Sequence, residues 1–107
     1  EVDKERQAVH GLVAGEHIRR YRADKAFLGV DGISLTNGLS AHSEKEAELS
    51  LQMMQQARQN YLLCDATKIE RDAQLSFAEI SRIHVLVTDA PDSLIEPYRL
   101  IISKILN

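Results

Sequence analysis

Three apolar runs, each closed by an aspartate, constrain this chain more than any other feature. They read "AFLGVD", ending at Asp31, "YLLCD", ending at Asp65, and "IHVLVTD", ending at Asp89. Largely continuous rather than alternating hydrophobicity is the pattern of a strand covered on both faces. Stretches of helical character lie between the runs, and parallel strands need such crossovers, almost always right-handed. The expected fold class is therefore α/β, a small parallel sheet with crossover helices. With 107 residues, the chain has room for one domain.

The elements follow from local pattern. A first helix is expected from Gly11 or Ala14 to Tyr21, with Leu12, Val13, Ile18 and Tyr21 inward. The first strand is expected over Ala26 to Val30. A polar connection, "DGISLTNGLSAHS", then carries the turn dipeptide Asn37-Gly38, with Ile33 to Leu35 as a short hairpin arm. Ser43 and Glu46 form a capping box that opens a second helix, expected to end near Asn60. Its apolar face is Ala47, Leu51, Met54, Ala57 and Tyr61. Past Asp65, the sequence predicts a loop and a short helix around Phe77 to Ser81. After Pro91, the spacing of Leu94, Ile95, Tyr98, Ile101, Ile102 and Ile105 predicts a closing amphipathic helix.

Composition removes several function classes. Hydrophobic residues make up 44% and charged residues 27%, the balance of a globular domain. No apolar run approaches the about 18 residues that span a bilayer, and the N-terminus lacks a signal-peptide core. A cytoplasmic location without membrane contact is the expectation. Net charge is −3, so the chain is not expected to bind nucleic acid by itself. The basic stretch "HIRRYRADK" reads as a solvated helix face. No cofactor is expected: no glycine-rich dinucleotide motif, P-loop or nucleophile elbow is present. His10, His17, His42 and His84 lack metal-ligand spacing, so no metal is expected either. Cys64, alone and in a strand, reads as a small hydrophobe.

The strand ends carry the candidate chemistry. Parallel strands deliver their following loops to one edge, where ligands of open α/β sheets bind. Asp31, Asp65 and Asp89 stand at that edge. Gly29 and Gly32 would let a ligand approach the backbone. Lys68, three residues past Asp65, offers a cation to an anionic group. Each aspartate also suits a purely structural role as a turn former or helix cap, most plainly Asp89 in "DAPD". His42, just before the second helix, is a weaker ligand candidate, and His84 reads as a satisfied strand residue.

Taken in order, "DKAFLGVDGISLTNGL", "SEKEAELSLQMMQQARQNYLLCDATK" and "IHVLVTD" resemble the C-terminal sensor domain of DeoR-family bacterial transcriptional regulators, over about Gly11 to Asp89. The resemblance implies a fold related to ribose-5-phosphate isomerase and the CoA transferases. It implies binding of a phosphorylated sugar or related metabolite, so that an attached helix-turn-helix domain grips or releases operator DNA, mostly as a repressor. It also implies homo-oligomers. By position, Asp31 and Glu46 would accept hydrogen bonds from sugar hydroxyls, and Lys68 would pair with an anionic or hydroxyl-rich part of the effector. Relatives' DNA-binding domain and phosphate-holding glycine-threonine loop have no counterpart in these residues, so the chain reads as a piece of a regulator. Where relatives commonly carry glycine after the "DATK" corner, this chain has Glu70. Two other readings fit the same residues. Asp31, Glu46 and Lys68 are chemical types that an aldose–ketose isomerase uses, and an exposed sheet edge would suit a pure oligomerisation module.

Overall fold

The computed structural model describes residues 22–107. The helix expected up to Tyr21 therefore lies outside the described residues. Among these residues, strands β1 (Ala23–Leu28), β4 (Ala57–Leu63), β6 (Val85–Val87) and β7 (Lys104–Leu106) form a four-stranded sheet in that order, parallel throughout. A second, antiparallel sheet is built from β2 (Gly32–Ser34), β3 (Gly38–Ala41) and β5 (Leu75–Ala78). Helix α1 (Glu44–Gln56) returns the chain from β3 to β4 and packs against strands of both sheets. The expected parallel sheet with a helical crossover is present, enlarged by one strand and flanked by the smaller sheet.

Register assigns the faces of the parallel sheet. Phe27 pairs with Tyr61, and Tyr61 with Val85; one residue along, Leu28 pairs with Leu62, and Leu62 with Leu86. Successive side chains point to opposite faces. Ala26, Leu28, Leu62 and Leu86 thus share the inner face and join one core with Met54, Ile33, Leu39, Ile95 and Tyr98. The first strand starts and stops earlier than the expected Ala26 to Val30 and is not covered on both faces. It lies at the edge of the described sheet, and Phe27 on its outer face is 58% exposed. There Phe27 meets the Tyr61 ring at a centroid distance of 5.0 Å, and the Lys25 ammonium lies 5.6 Å from the same ring.

The hairpin between β2 and β3 turns on Gly38, as Asn37-Gly38 predicts. Its φ of 77° lies in the left-handed region, and a Cβ there would collide with the Ala78 carbonyl of the neighbouring strand. Ser34 and Asn37 each donate to the Asp72 carboxylate, at 2.6 and 2.9 Å, and hold its pKa below the usual carboxylate range. Helix α1 begins at the expected N-cap: the Ser43 hydroxyl accepts from the Glu46 amide at 3.2 Å, the first of the two bonds of a capping box.

Three expectations are corrected. The helix stops at Gln56 rather than near Asn60, and Ala57 passes straight into a strand with extended backbone. From there burial follows a strand's period of two: Arg58 is exposed, Asn60 and Leu62 are buried. Ala57 and Tyr61 therefore belong to β4, not to the helix face. The helix expected around Phe77 to Ser81 is instead strand β5 followed by a 3-10 turn, Ile80–Arg82. The closing amphipathic helix is replaced by a short helix α2 (Asp92–Ile95), a 3-10 segment (Glu96–Leu100) and strand β7. Pro97 gives the reason. It has no N–H to donate, and its ring crowds the carbonyl four residues back, so the α-helix ends before it. Ile102 and Ile105 reach the core from the segment that follows, Ile102 fully buried.

His84 is satisfied, as its position suggests. Its Nδ1 accepts from the Asn60 amide at 2.9 Å, while its own amide donates to the Asn60 carbonyl at 2.9 Å.

Gly38→Ala combines the left-handed penalty with the collision at Ala78. It is expected to destabilise the chain by about 2–4 kcal/mol, read as a lower urea midpoint with unchanged m-value.

Candidate functional site

The carboxyl ends of β1, β4 and β6 open onto two adjoining depressions. The larger, about 560 Å³, is lined by Val30, Leu63, Cys64, Asp65, Lys68, Val87, Thr88 and Asp89. The smaller, about 340 Å³, is lined by Gly29, Val30, Asp31, Ala41, Glu46, Leu49 and Ser50. Val30 borders both. Strand direction accounts for this clustering. Val30 and Asp31 follow β1, Cys64 and Asp65 follow β4, and Thr88 and Asp89 follow β6, each at the same edge of the sheet.

Every aspartate at this edge also closes a local structure. Asp31 ties the end of β1 to the hairpin: its amide donates to the Ser40 carbonyl at 3.0 Å, and its Oδ2 accepts from the His42 amide at 2.9 Å. The His42 ring lies 3.9 Å from the other carboxylate oxygen. Asp65 caps the 3-10 turn Ala66–Lys68, accepting from the amide and the hydroxyl of Thr67. Those bonds, the hydroxyl first, hold its pKa below the usual carboxylate range. Asp89 accepts from the Ala66 amide at 2.8 Å and so binds the end of β6 to the start of that turn. Each carboxylate retains acceptor capacity beyond these bonds.

The remaining candidates fall into place around them. Lys68 ends the 3-10 turn and lines the larger depression with Asp65 and Asp89. Glu46, in the first turn of α1, shares the smaller depression with Asp31. Gly29 faces open space. Gly32 is different: it is buried and lines neither depression, and a Cβ there would run into the Arg71 carbonyl and lie 2.8 Å from Ser40 Oγ. Its missing side chain admits a neighbouring backbone, where a ligand was expected. Sequence reasoning passed over Thr88, a buried hydroxyl on the rim whose Oγ1 accepts from the Ala90 amide at 3.2 Å. Its place just before the strand-terminal Asp89 was the available signal.

Electrostatics sets what the larger depression can hold. Among the described residues two carboxylates and one ammonium line it, a balance that favours hydroxyl groups over a fully charged phosphate. Burial pushes the Cys64 thiol up to about 11, helped by the Asp65 and Asp89 carboxylates and opposed by Lys68. The thiol is thus a neutral wall of the depression. Because its pKa is raised above the ordinary thiol value of 9.0, the fold loses stability from this group as pH climbs from about 9 towards about 11. Alkylation of native Cys64 by iodoacetamide is expected to stay slow at neutral pH and to rise towards about 11, whereas the urea-unfolded chain reacts with a midpoint near 9.0. Equal midpoints would contradict this environment.

Comparison with known proteins identifies the family. The family model described as the DeoR C terminal sensor domain matches residues 1–90. The chain is 33% identical over 88 residues to the HTH-type transcriptional repressor GlcR of Bacillus subtilis, covering 82% of this chain and 34% of that protein. It is 33% identical over 72 residues to the HTH-type transcriptional regulator IolR of the same organism, covering 67% and 29%. It is 26% identical over 90 residues to the L-fucose operon activator of Haemophilus influenzae, covering 82% and 36%. The chain thus spans about a third of the length of these relatives. A family match over most of the chain settles its membership: it belongs to the family of DeoR C-terminal sensor domains.

Proposed function

We propose that this chain is the effector-sensing part of a transcriptional regulator of sugar metabolism, acting in the cytoplasm and binding a phosphorylated sugar or related metabolite at the carboxyl edge of the parallel sheet. One observation carries the reading. Lys68, Asp65 and Asp89 line one depression, Asp31 and Glu46 line the next, and the two adjoin at Val30. A polyhydroxylated ligand lying across that shared border would meet acceptors on both sides. Carboxylate-to-hydroxyl bonds are charge-assisted and directional, so they discriminate among sugars. Lys68 would serve the oxygen-rich end of the ligand. The local excess of carboxylates argues that the phosphate is held by groups outside residues 22–107, so the described rim reads the sugar.

In this reading, operator DNA is contacted by a part of the full regulator beyond these residues, and the assembly is a homo-oligomer. The fold of the sensor is related to that of ribose-5-phosphate isomerase and the CoA transferases. The relatives' names include both a repressor and an activator; we assign this chain to a repressor.

The test is a thermal-shift and calorimetric panel of fructose, glucose and ribose monophosphates, run on the full regulator carrying this domain. At least one is expected to raise the melting temperature, as a ligand selective for the native state must. Lys68→Ala is expected to weaken that binding roughly ten- to a hundredfold, the worth of a charge-assisted hydrogen bond. It should leave the unliganded melting temperature nearly unchanged, because Lys68 makes no ion pair among the described residues. No shift with any member would end the sensing reading; a shift that survives Lys68→Ala would move the site elsewhere.

A further inference from the structure

Glu70 lies two residues past Lys68 and has a backbone φ of 60°, a left-handed conformation that residues with side chains rarely adopt. Hydrogen bonds from distant parts of the chain converge on it. Its amide donates to the Ile33 carbonyl at 2.7 Å, and the Arg71 amide donates to the same carbonyl at 3.2 Å. Its Oε2 accepts from the Leu35 amide at 3.1 Å and from the Tyr98 hydroxyl. Tyr98 is fully buried, and burial, then Glu70, pushes its phenol well above the ordinary range, so it remains a donor. The turn at Lys68 is weakly built on its own, with two internal bonds, from the Lys68 amide to Asp65 and from the Ile69 amide to Ala66. Asp65 and Asp89 anchor its start. At its far end the chain is held by the bridge from Ile69 to Ile33 and by the Glu70 junction.

We propose that Glu70 is a positioning residue for Lys68: bound by Tyr98 and Leu35, it fixes how the 3-10 turn leaves the rim and therefore where the ammonium stands over the larger depression. The C-terminal segment, through Tyr98, becomes part of the apparatus that shapes the site. The assignment of Lys68 to a ligand rests on the function proposed above; its placement by Glu70 does not.

Three variants, each made in the full regulator carrying this domain, test the junction. Tyr98→Phe removes the buried donor. Glu70→Gly keeps the left-handed backbone and removes the acceptor, so it remains informative should Tyr98→Phe fold poorly. Glu70→Gln retains an acceptor oxygen. Amide hydrogen exchange at Lys68 and Ile69 is expected to quicken about tenfold in the first two variants and to stay near wild type in Glu70→Gln, with exchange at Leu62 and Leu86 unchanged in all three. A role confined to global stability would move the core amides together with the rim. Affinity for whichever of the fructose, glucose or ribose monophosphates binds best is expected to fall about tenfold in the same two variants and to recover in Glu70→Gln. Wild-type exchange at Lys68 in Glu70→Gly would overturn the proposal, as would undiminished affinity alongside bound sugar phosphate. Altered exchange with no sugar phosphate bound to wild type would support the positioning role and refute the sensing function.

Discussion

Two parallel strands cannot be joined by a tight turn, and most of this molecule follows from that restriction. Each strand of the larger sheet must be left at one edge and regained at the other, so the return path has to cross a face of the sheet. Between β1 and β4 that path holds a hairpin and α1, and the apolar side of the helix closes over Ala26, Leu28 and Leu62. The same restriction gathers Asp31, Asp65 and Asp89 at one edge without any direct attraction among them. Packing and site share one cause: the layer that buries the core leaves the strand ends open.

At that edge, capping and the proposed recognition would use the same atoms without conflict. A carboxylate at the end of a parallel strand faces free amides of the next segment, and accepting from them lowers the energy of the turn. It also fixes the direction of the remaining lone pairs. Asp65, held by Thr67, and Asp89, held by Ala66, are thereby set as rigid acceptors over the larger depression. The capping role of these residues and the ligand-facing role proposed for them require the same arrangement.

How much was legible in the sequence depends on the range of the forces involved. Local signals were sound. Ser43 with Glu46 marked the start of α1, Asn37-Gly38 marked the hairpin, and the three apolar runs marked β1, β4 and β6. Boundaries failed where one pattern passes into another without punctuation. Gln56 is followed by no glycine or proline, so the helical period was carried into β4. Isoleucines at helical spacing concealed β7, although Pro97 was a readable interruption. At the candidate site, the composition of the rim was legible from strand ends, but the setting of Gly32 was not, because the Arg71 carbonyl comes from far along the chain. The Glu70 junction was hidden for the same reason. Its trace in sequence was a residue with a side chain where the resemblance put glycine, and a backbone φ of 60° is one that glycine adopts without strain.

The splice between α1 and β4 has a consequence for how such domains can change in length. With no intervening loop, nothing absorbs an added or deleted residue. One extra residue near Ala57 would either turn the helix by about 100° or exchange the two faces of the strand, driving Arg58 inward and Leu62 towards water. Variation in chain length is therefore expected at exposed loops rather than here, where the junction behaves as a ratchet that admits no slack.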